Sequence, residues 1–412
     1  MIAKRIYSSA LAIALTSTAT IAADQAENIT EIFAKGSPTL DLRYRLALID
    51  QDGFARDATA SILRTKFGFK TATFHGFSAY AEVENSVALG AEKYNDTLNG
   101  NTQYPVVADP ESTEMNQYYL MYQHKSGGWA KVGRQGINLG TQRFVGTVGW
   151  RQNDQTYDAA AVGYKKGKID ARYYYVWNVN RIFSDDSPVG NFDTETHIFN
   201  ASYTFSPLLK AEVNGLLLDQ NTNFPAINQN LSSQTYTAKI SGSKQFDGVK
   251  LGYAFEYGNQ SDYATSALDY SADYYNAEIS ATFKGVTLKV GQELLGSDNG
   301  KGFTTPLATL HKFNGFADKF LGTPAQGLED SYITMSYTMP ESTGMFKGIK
   351  SVVTYHDFKS DIGDINYGDE WNFLVSKKLN KHFSAAIKGA IYNADEFATD
   401  TNKFWLILGA KF

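Results

Sequence analysis

Leu40-Asp41-Leu42-Arg43-Tyr44-Arg45-Leu46-Ala47-Leu48 alternates one residue at a time, with Leu40, Leu42, Tyr44, Leu46 and Leu48 on one face and Asp41, Arg43 and Arg45 on the other. A period of two is the side-chain period of an extended strand, so this stretch reads as a β-strand with one apolar and one charged face. The same texture recurs along the chain. Leu63, Thr65, Phe67 and Phe69 stand opposite Arg64, Lys66 and Lys70, and Phe77, Ala79, Ala81 and Val83 oppose Tyr80, Glu82 and Glu84. Ile169, Ala171, Tyr173, Tyr175 and Trp177 oppose Asp170 and Arg172; Val249, Leu251, Tyr253, Phe255 and Tyr257 oppose Lys250 and Glu256; Tyr275, Ala277, Ile279, Ala281 and Phe283 oppose Asn276 and Glu278. Counting such segments gives about 18 strands, with about 16 as the alternative, and an even number returns both ends of the chain to one side of a closed antiparallel barrel.

Linker length alternates too. Tight turns at Gly127-Gly128, Lys166-Gly167, Phe246-Asp247-Gly248 and Lys284-Gly285 are interleaved with long polar loops near 90–114, 181–193, 219–233, 258–271 and 295–330. Short turns on one side and long loops on the other are the pattern of a transmembrane β-barrel with periplasmic turns and extracellular loops. No Lys, Arg, Asp or Glu interrupts the apolar faces above. Lipid enforces such a rule, since Lys or Arg at the bilayer midplane costs roughly 2–4 kcal/mol. A pair of β-sandwiches would need a linker, and a propeller or β-helix would repeat at a fixed period; neither feature is present.

Composition agrees. In 412 residues there are 26 Tyr, 26 Phe and 35 Gly against nine Pro, a mixture that favours strands over helices. The mean hydropathy of −0.33 excludes a bundle of transmembrane helices. Zero cysteines exclude a disulfide scaffold and thiol catalysis, and a net charge of −5 gives no support to nucleic-acid binding.

The ends of the chain match this reading. Lys4 and Arg5, the apolar run Ala10 to Leu15 and the small residues through Ala23 describe a signal peptide over 1–23, too short to span a bilayer. Residues 24–39 then form a periplasmic N-terminal segment and 40–412 the barrel. At the other end Phe404, Leu406, Leu408, Ala410 and Phe412 alternate to an aromatic last residue. Phe412 is expected to be the terminal signal read by the barrel-assembly machinery, because a soluble strand ending flush with an exposed Phe would invite aggregation.

A barrel of this size is too wide for its wall side chains to fill, so its lumen is water-filled or plugged by loops. Arg43, Arg45, Arg64 and Lys66, with Glu82 and Glu84 on the next strand, should face it. They either set up a transverse field acting on solutes or pair with one another. From Val132-Gly133-Arg134-Gln135-Gly136 through Arg143 to Trp150-Arg151-Gln152-Asn153-Asp154 the hairpin rhythm fails. Folded into the lumen, this stretch would bring Arg134, Arg143 and Arg151 together as a basic constriction with Asp154 as counter-ion; the alternative is an ordinary extracellular loop with solvated arginines. The loop from Gly296 to Glu329 carries Phe303, Leu307, Leu310, Phe313, Phe316, Phe320 and Leu321, with a hint of helical spacing at Leu307, Leu310 and Phe313. That is too apolar for a solvated loop and suggests a lid, plug or binding surface, or else a self-packed surface loop.

Asp41-Leu42-Arg43-Tyr44-Arg45, the block from Val132-Gly133-Arg134-Gln135 to Trp150-Arg151-Gln152, and Thr305-Pro306-Leu307-Ala308-Thr309-Leu310-His311 through Phe320-Leu321 together resemble the alginate-export-type outer-membrane porin family, over nearly the whole mature chain. The resemblance implies a monomeric barrel of about 18 strands that passes anionic solutes through a basic constriction. It makes Arg43, Arg45, Arg134, Arg143 and Arg151 pore candidates. The inward charges here are mixed, which argues against carrying over alginate itself as cargo.

An enzyme is not expected. The six histidines (His75, His124, His197, His311, His356 and His382) lie in unrelated segments, and neither a G-x-S-x-G nor an H-E-x-x-H motif occurs. Structural or interfacial roles account for them, and no cofactor or metal is expected, a plain solvated loop being the simpler reading of Asp185-Asp186 to Asp193. The sequence therefore predicts a Gram-negative outer-membrane channel in contact with lipid and lipopolysaccharide, passing small anionic or sugar-acid solutes by diffusion. An exporter of an anionic polysaccharide, or a plugged barrel with an enzymatic or adhesive role, are the alternatives.

Overall fold

The computed structural model describes residues 25–221 and 232–412; the expected signal peptide lies outside them. A short helix, α1 (Ile29–Ala34), precedes the barrel strands. These are β1 (Ser37–Gln51), β2 (Ala58–Lys70), β3 (Phe77–Ala88), β4 (Ser112–Gln123), β5 (Gly128–Gln135), β6 (Thr156–Lys166), β7 (Ile169–Asn180), β8 (Asn191–Ser206), β9 (Leu209–Leu218), β10 (Ser233–Phe246), β11 (Val249–Asp262), β12 (Ser271–Phe283) and β13 (Val286–Leu295). A minor hairpin, β14 (Ser297–Asp298) with β15 (Lys301–Gly302), follows inside a long connection. Then come β16 (Leu328–Thr338), β17 (Lys350–Lys359), β18 (Asn366–Lys378), β19 (Phe383–Ala394) and β20 (Thr401–Lys411). Setting the minor hairpin aside, each strand pairs antiparallel with the next, and β20 pairs back onto β1 from Asp41↔Lys411 to Gln51↔Thr401. Among the described residues this is a closed sheet of 18 strands, the larger of the two expected counts. The first strand starts at Ser37, slightly before the expected boundary at 40.

Closure leaves no free sheet edge, and it sorts each strand's two faces into a wall exterior and a lumen. On β1, Leu48 is exposed while Arg45, Ala47 and Ile49 are buried; on β2, Phe67 is exposed while Arg64 and Lys66 are buried. The apolar faces read from sequence thus point outward and the charged faces inward. Aromatic residues gather at both ends of the outer surface, with Tyr164, Phe205, Phe246, Phe283, Phe383 and Phe412 near the short turns and Trp177, Tyr236, Tyr257 and Trp371 toward the long loops. Such girdles bound the apolar band of a barrel solvated by lipid. Trp177 belongs to them, whereas Trp405 is buried inside.

The buried core is unusual for so wide a barrel. It includes Ile137, Leu139, Phe144, Val145, Phe303, Leu307, Ala317 and Phe320, all from the 136–155 and 296–327 connections, packed against wall residues such as Tyr157, Tyr274 and Tyr392. Both loops fold into the lumen.

Candidate functional site

Loop 136–155 enters the lumen between β5 and β6 and is pinned to the wall by the charges of β1–β3. The Arg43 guanidinium donates to Gln152 Oε1 at 2.9 Å, to the Gly149 carbonyl at 2.6 Å and to the Arg151 carbonyl. Arg45, only 2% exposed, donates to the Trp150 carbonyl at 2.8 Å, lies over the Trp150 ring and pairs with Asp109 from the 89–111 connection. Asp154 pairs with Lys66 and, at 3.9 Å, with Arg64, and its backbone N–H donates to Glu84 Oε1 at 2.9 Å. Lys66 also holds Glu84 at 2.8 Å, and Arg64 holds Asp41 at 2.9 Å. Burial pushes the Asp154 carboxyl up, but Lys66 and Arg64 outweigh it and leave it below the usual carboxylate range. Irregular backbone at this depth needs partners for its carbonyls and N–H groups, and these wall residues supply them. Glu82 stands apart from the loop, accepting from Tyr80 and Asn116 at 2.6 and 2.7 Å.

Arg143 ties the same loop to the second one. Its Nε sits 2.8 Å from Glu293, and its other nitrogens donate to Thr305 and Asn314, both at 3.1 Å. Backbone bonds join the loops directly: the Gly146 N–H donates to the Leu307 carbonyl at 2.8 Å and the Thr309 N–H to the Gln142 carbonyl at 3.1 Å. The expected helical spacing in 296–327 yields just a 3-10 turn at Leu310–Lys312. It presents His311 face to face with Trp150, with ring centroids 4.1 Å apart. His311 Nδ1 donates to Asp318 at 2.6 Å and Nε2 accepts from Lys388 Nζ at 2.5 Å, while Asp318 also faces Arg151 at 3.4 Å and Lys403 at 3.5 Å. Burial above all, with the Lys388 and Arg151 charges opposing the pull of Asp318, holds the His311 imidazole down at about 3, so it is neutral. Burial works against the Asp318 carboxylate too, but its partners outweigh it and hold that carboxyl well below the usual range.

One expectation is corrected here. Arg134 is not in a constriction with Arg143 and Arg151. It lies on β5, on the outward face it shares with Val132, where its guanidinium holds Asp158 at 2.8 and 3.1 Å and stacks over Tyr118. The regular ladder with β4 and β6 runs as far as Arg134 and Gln135, so strand alternation, not the loop, fixes its direction. Arg43, Arg45, Arg64, Lys66, Glu82, Glu84, Arg143, Arg151 and Asp154 all lie inside. Apart from Glu82, they form a paired network that anchors the loops.

On the other side of the lumen the tip of the 136–155 loop approaches β8–β11. A Cβ at Gly140 would lie 2.9 Å from Glu212 Oε1, and the φ of +51° suits glycine. Leu139, Thr141, Arg143, Asn214, Thr237, Lys239 and Glu256 line a narrow slot between the loop tip and the wall. Lys239 lies 3.2 Å from Glu256, and Lys312 Nζ donates to the Thr141 carbonyl at 2.8 Å. Burial, then the like charges of Lys289 and Lys239, lower the Lys312 ammonium below its ordinary value. The strand pattern puts Glu256 on a polar face but singles out neither Lys239 nor Lys312. The Thr235-Thr237-Lys239 alternation on β10 was an available signal; Lys312 carried none.

A closed antiparallel barrel with an apolar exterior, aromatic girdles and a polar lumen narrowed by inward loops is an outer-membrane channel-type barrel. The chain belongs to the alginate export family, whose sequence pattern matches residues 39–291. Its fold is shared with solved outer-membrane porins at low identity. Acinetobacter baumannii OccAB4 superposes with a TM-score of 0.72 at 15% identity, covering 92% of this chain and 98% of that one. Pseudomonas aeruginosa OpdO gives 0.71 at 13% identity, with 93% and 98% covered, and P. aeruginosa OpdK, solved with vanillate, gives 0.68 at 14%, with 91% and 98% covered. Comparison with curated proteins finds no match. The protein is a barrel of the Gram-negative outer membrane, and its family is export-related and not enzymatic.

Proposed function

We infer that the protein is a passive diffusion channel for small hydrophilic anions, sugar acids and other carboxylates among them, selected at the slot between the 136–155 loop tip and the β8–β11 wall. The carrying observation is the grouping of Lys312 with Lys239 and Lys289: burial lowers the Lys312 ammonium most, and the like charges of Lys289 and Lys239 lower it further. An anion entering that space relieves the repulsion, while Glu256 and Glu278, paired with Lys239 and Lys289, keep binding weak enough for release. The buried arginines support the reading indirectly, by holding the loops that shape the slot. Vanillate, an aromatic carboxylate, accompanies one protein of this fold.

The test is single-channel recording of refolded protein under a salt gradient. The native channel gives an anion-preferring reversal potential, the Lys239→Gln/Lys312→Gln variant loses most of it, and Arg134→Ser, on the outer wall, leaves it unchanged. A cation-preferring native channel, or a double variant that keeps full anion preference, would overturn the reading.

The family's name favours a second reading, export of an anionic polysaccharide. It requires both inward loops to move aside, so current blockade by alginate oligomers in the native channel would favour it. In either case Phe412 serves the barrel-assembly machinery, and the outer girdle meets lipid and lipopolysaccharide.

A further inference from the structure

Helix α1 carries an apolar face that the barrel does not cover. Ile29, Ile32 and Phe33 fall on one side of it, and Glu31 and Lys35, paired at 2.8 Å, on the other. Ile32 is half-buried, whereas Ile29 is 71% and Phe33 65% exposed. The helix is tied to the short β2–β3 turn: the Ala26 N–H donates to the Thr73 carbonyl and the Ala72 N–H to the Ile32 carbonyl, at 2.8 and 2.9 Å. Thr71 bonds sideways to Ala79 of β3, so the Ala72 N–H points the other way along the wall, toward β1. This sets α1 beside the β2–β3 turn, just below the start of β1.

That position coincides with a gap in the lower aromatic girdle. On one side β2 offers Phe67, exposed, and Phe69, whose ring folds against Gly36 so closely that a Cβ there would collide with it. On the other side stand Phe412 and Phe383, ring against ring at 6.0 Å and both exposed. Between them the outward residues of β1 are Pro38 and Leu40, with no aromatic. We propose that α1 completes the girdle, seating Ile29 and Phe33 at the headgroup–acyl boundary of the periplasmic leaflet as an interfacial foot for the barrel. The occupant of this face is lipid because the helix leads directly into β1 between two outward-facing aromatic groups of the wall, and because Glu31 and Lys35 keep the helix's opposite side polar.

The absence of cysteine makes the test clean. Single variants Ile29→Cys, Phe33→Cys, Ala34→Cys and Leu408→Cys are spin-labelled, folded into phospholipid bilayers and checked for barrel formation by heat-modifiable migration. Collision with oxygen and with a water-soluble nickel chelate is then compared at each site. Labels at 29 and 33 are expected to show an oxygen-to-nickel ratio several-fold above that at 34 and approaching that at 408, on the belt. Ratios at 29 and 33 equal to that at 34 would put the face in water and overturn the proposal. Dipolar broadening between labels would put a second copy of the chain there, overturning it as well. If Phe33→Cys fails to fold, the Ile29 site alone carries the comparison.

Discussion

Gly140 stands at the loop tip, where the proposed slot meets Glu212. Its missing side chain lets the loop tip pass Glu212, and its positive φ disfavours any replacement. Gly140→Val should cut single-channel conductance by roughly twofold or more while leaving the barrel folded, because it adds bulk beside Glu212 in the proposed slot without touching the wall ladder. Unaltered conductance would mean that ions pass elsewhere. Arg143 acts differently. It is 3% exposed and satisfies Glu293 and Asn314, so Arg143→Ala leaves a buried carboxylate unpaired, a change that costs about 3–5 kcal/mol. The expected outcome is a noisy channel of higher mean conductance as the two loops part, readable in the same recordings.

At the scale of elements, the two inward loops behave as one body held by the His311 clasp. His311 is neutral when docked, with its value at about 3 against an ordinary 6.5. Between those two values an undocked loop binds a proton that the docked one does not, so docking weakens as pH falls from about 6.5 toward 3 and has its full strength above that window. Asp318, also lowered, acts in the same direction below its ordinary 3.8. Hydrogen exchange of the 296–327 backbone should therefore show protection that declines with acid and is level from pH 7 to 8, after correction for intrinsic rates. Constant protection down to pH 4 would remove His311 from the clasp. The apolar content of the 296–329 loop was legible in sequence; that of the 136–155 loop and the contacts of both were not. Arg134 and Arg143 sit in one glycine-rich polar run, yet one is a strand residue facing outward and the other a lumen tie, and only the reach of the β4–β5–β6 ladder separates them.

For the whole molecule, closure depends on the last strand. β20 joins β1 to β19, with Lys411 holding Asp41 at 2.9 Å and Phe412 exchanging backbone bonds with Leu40. Deleting Phe412 removes the final rung and the proposed assembly signal together. The expected result is a several-fold drop in folded barrel in the outer membrane of cells, against near-normal folding of purified chain in detergent. Equal losses in both would assign Phe412 to stability alone.

The barrel, its inside and outside, and the alternation of turns and loops can all be read from local sequence pattern. Strand alternation is a local property of the backbone, and lipid makes one face of every strand keep to a rule that Leu40 to Leu48 already displays. What the inward charges do is set by long-range packing. Arg43 meets Arg151 across 108 residues and Arg143 meets Asn314 across 171, so whether an inward charge is a free pore charge or a tether depends on loops that arrive from distant parts of the chain. Lys312, silent in sequence, gains its place beside Lys239 because those loops dock, and docking rests on packing and desolvation that no local pattern encodes.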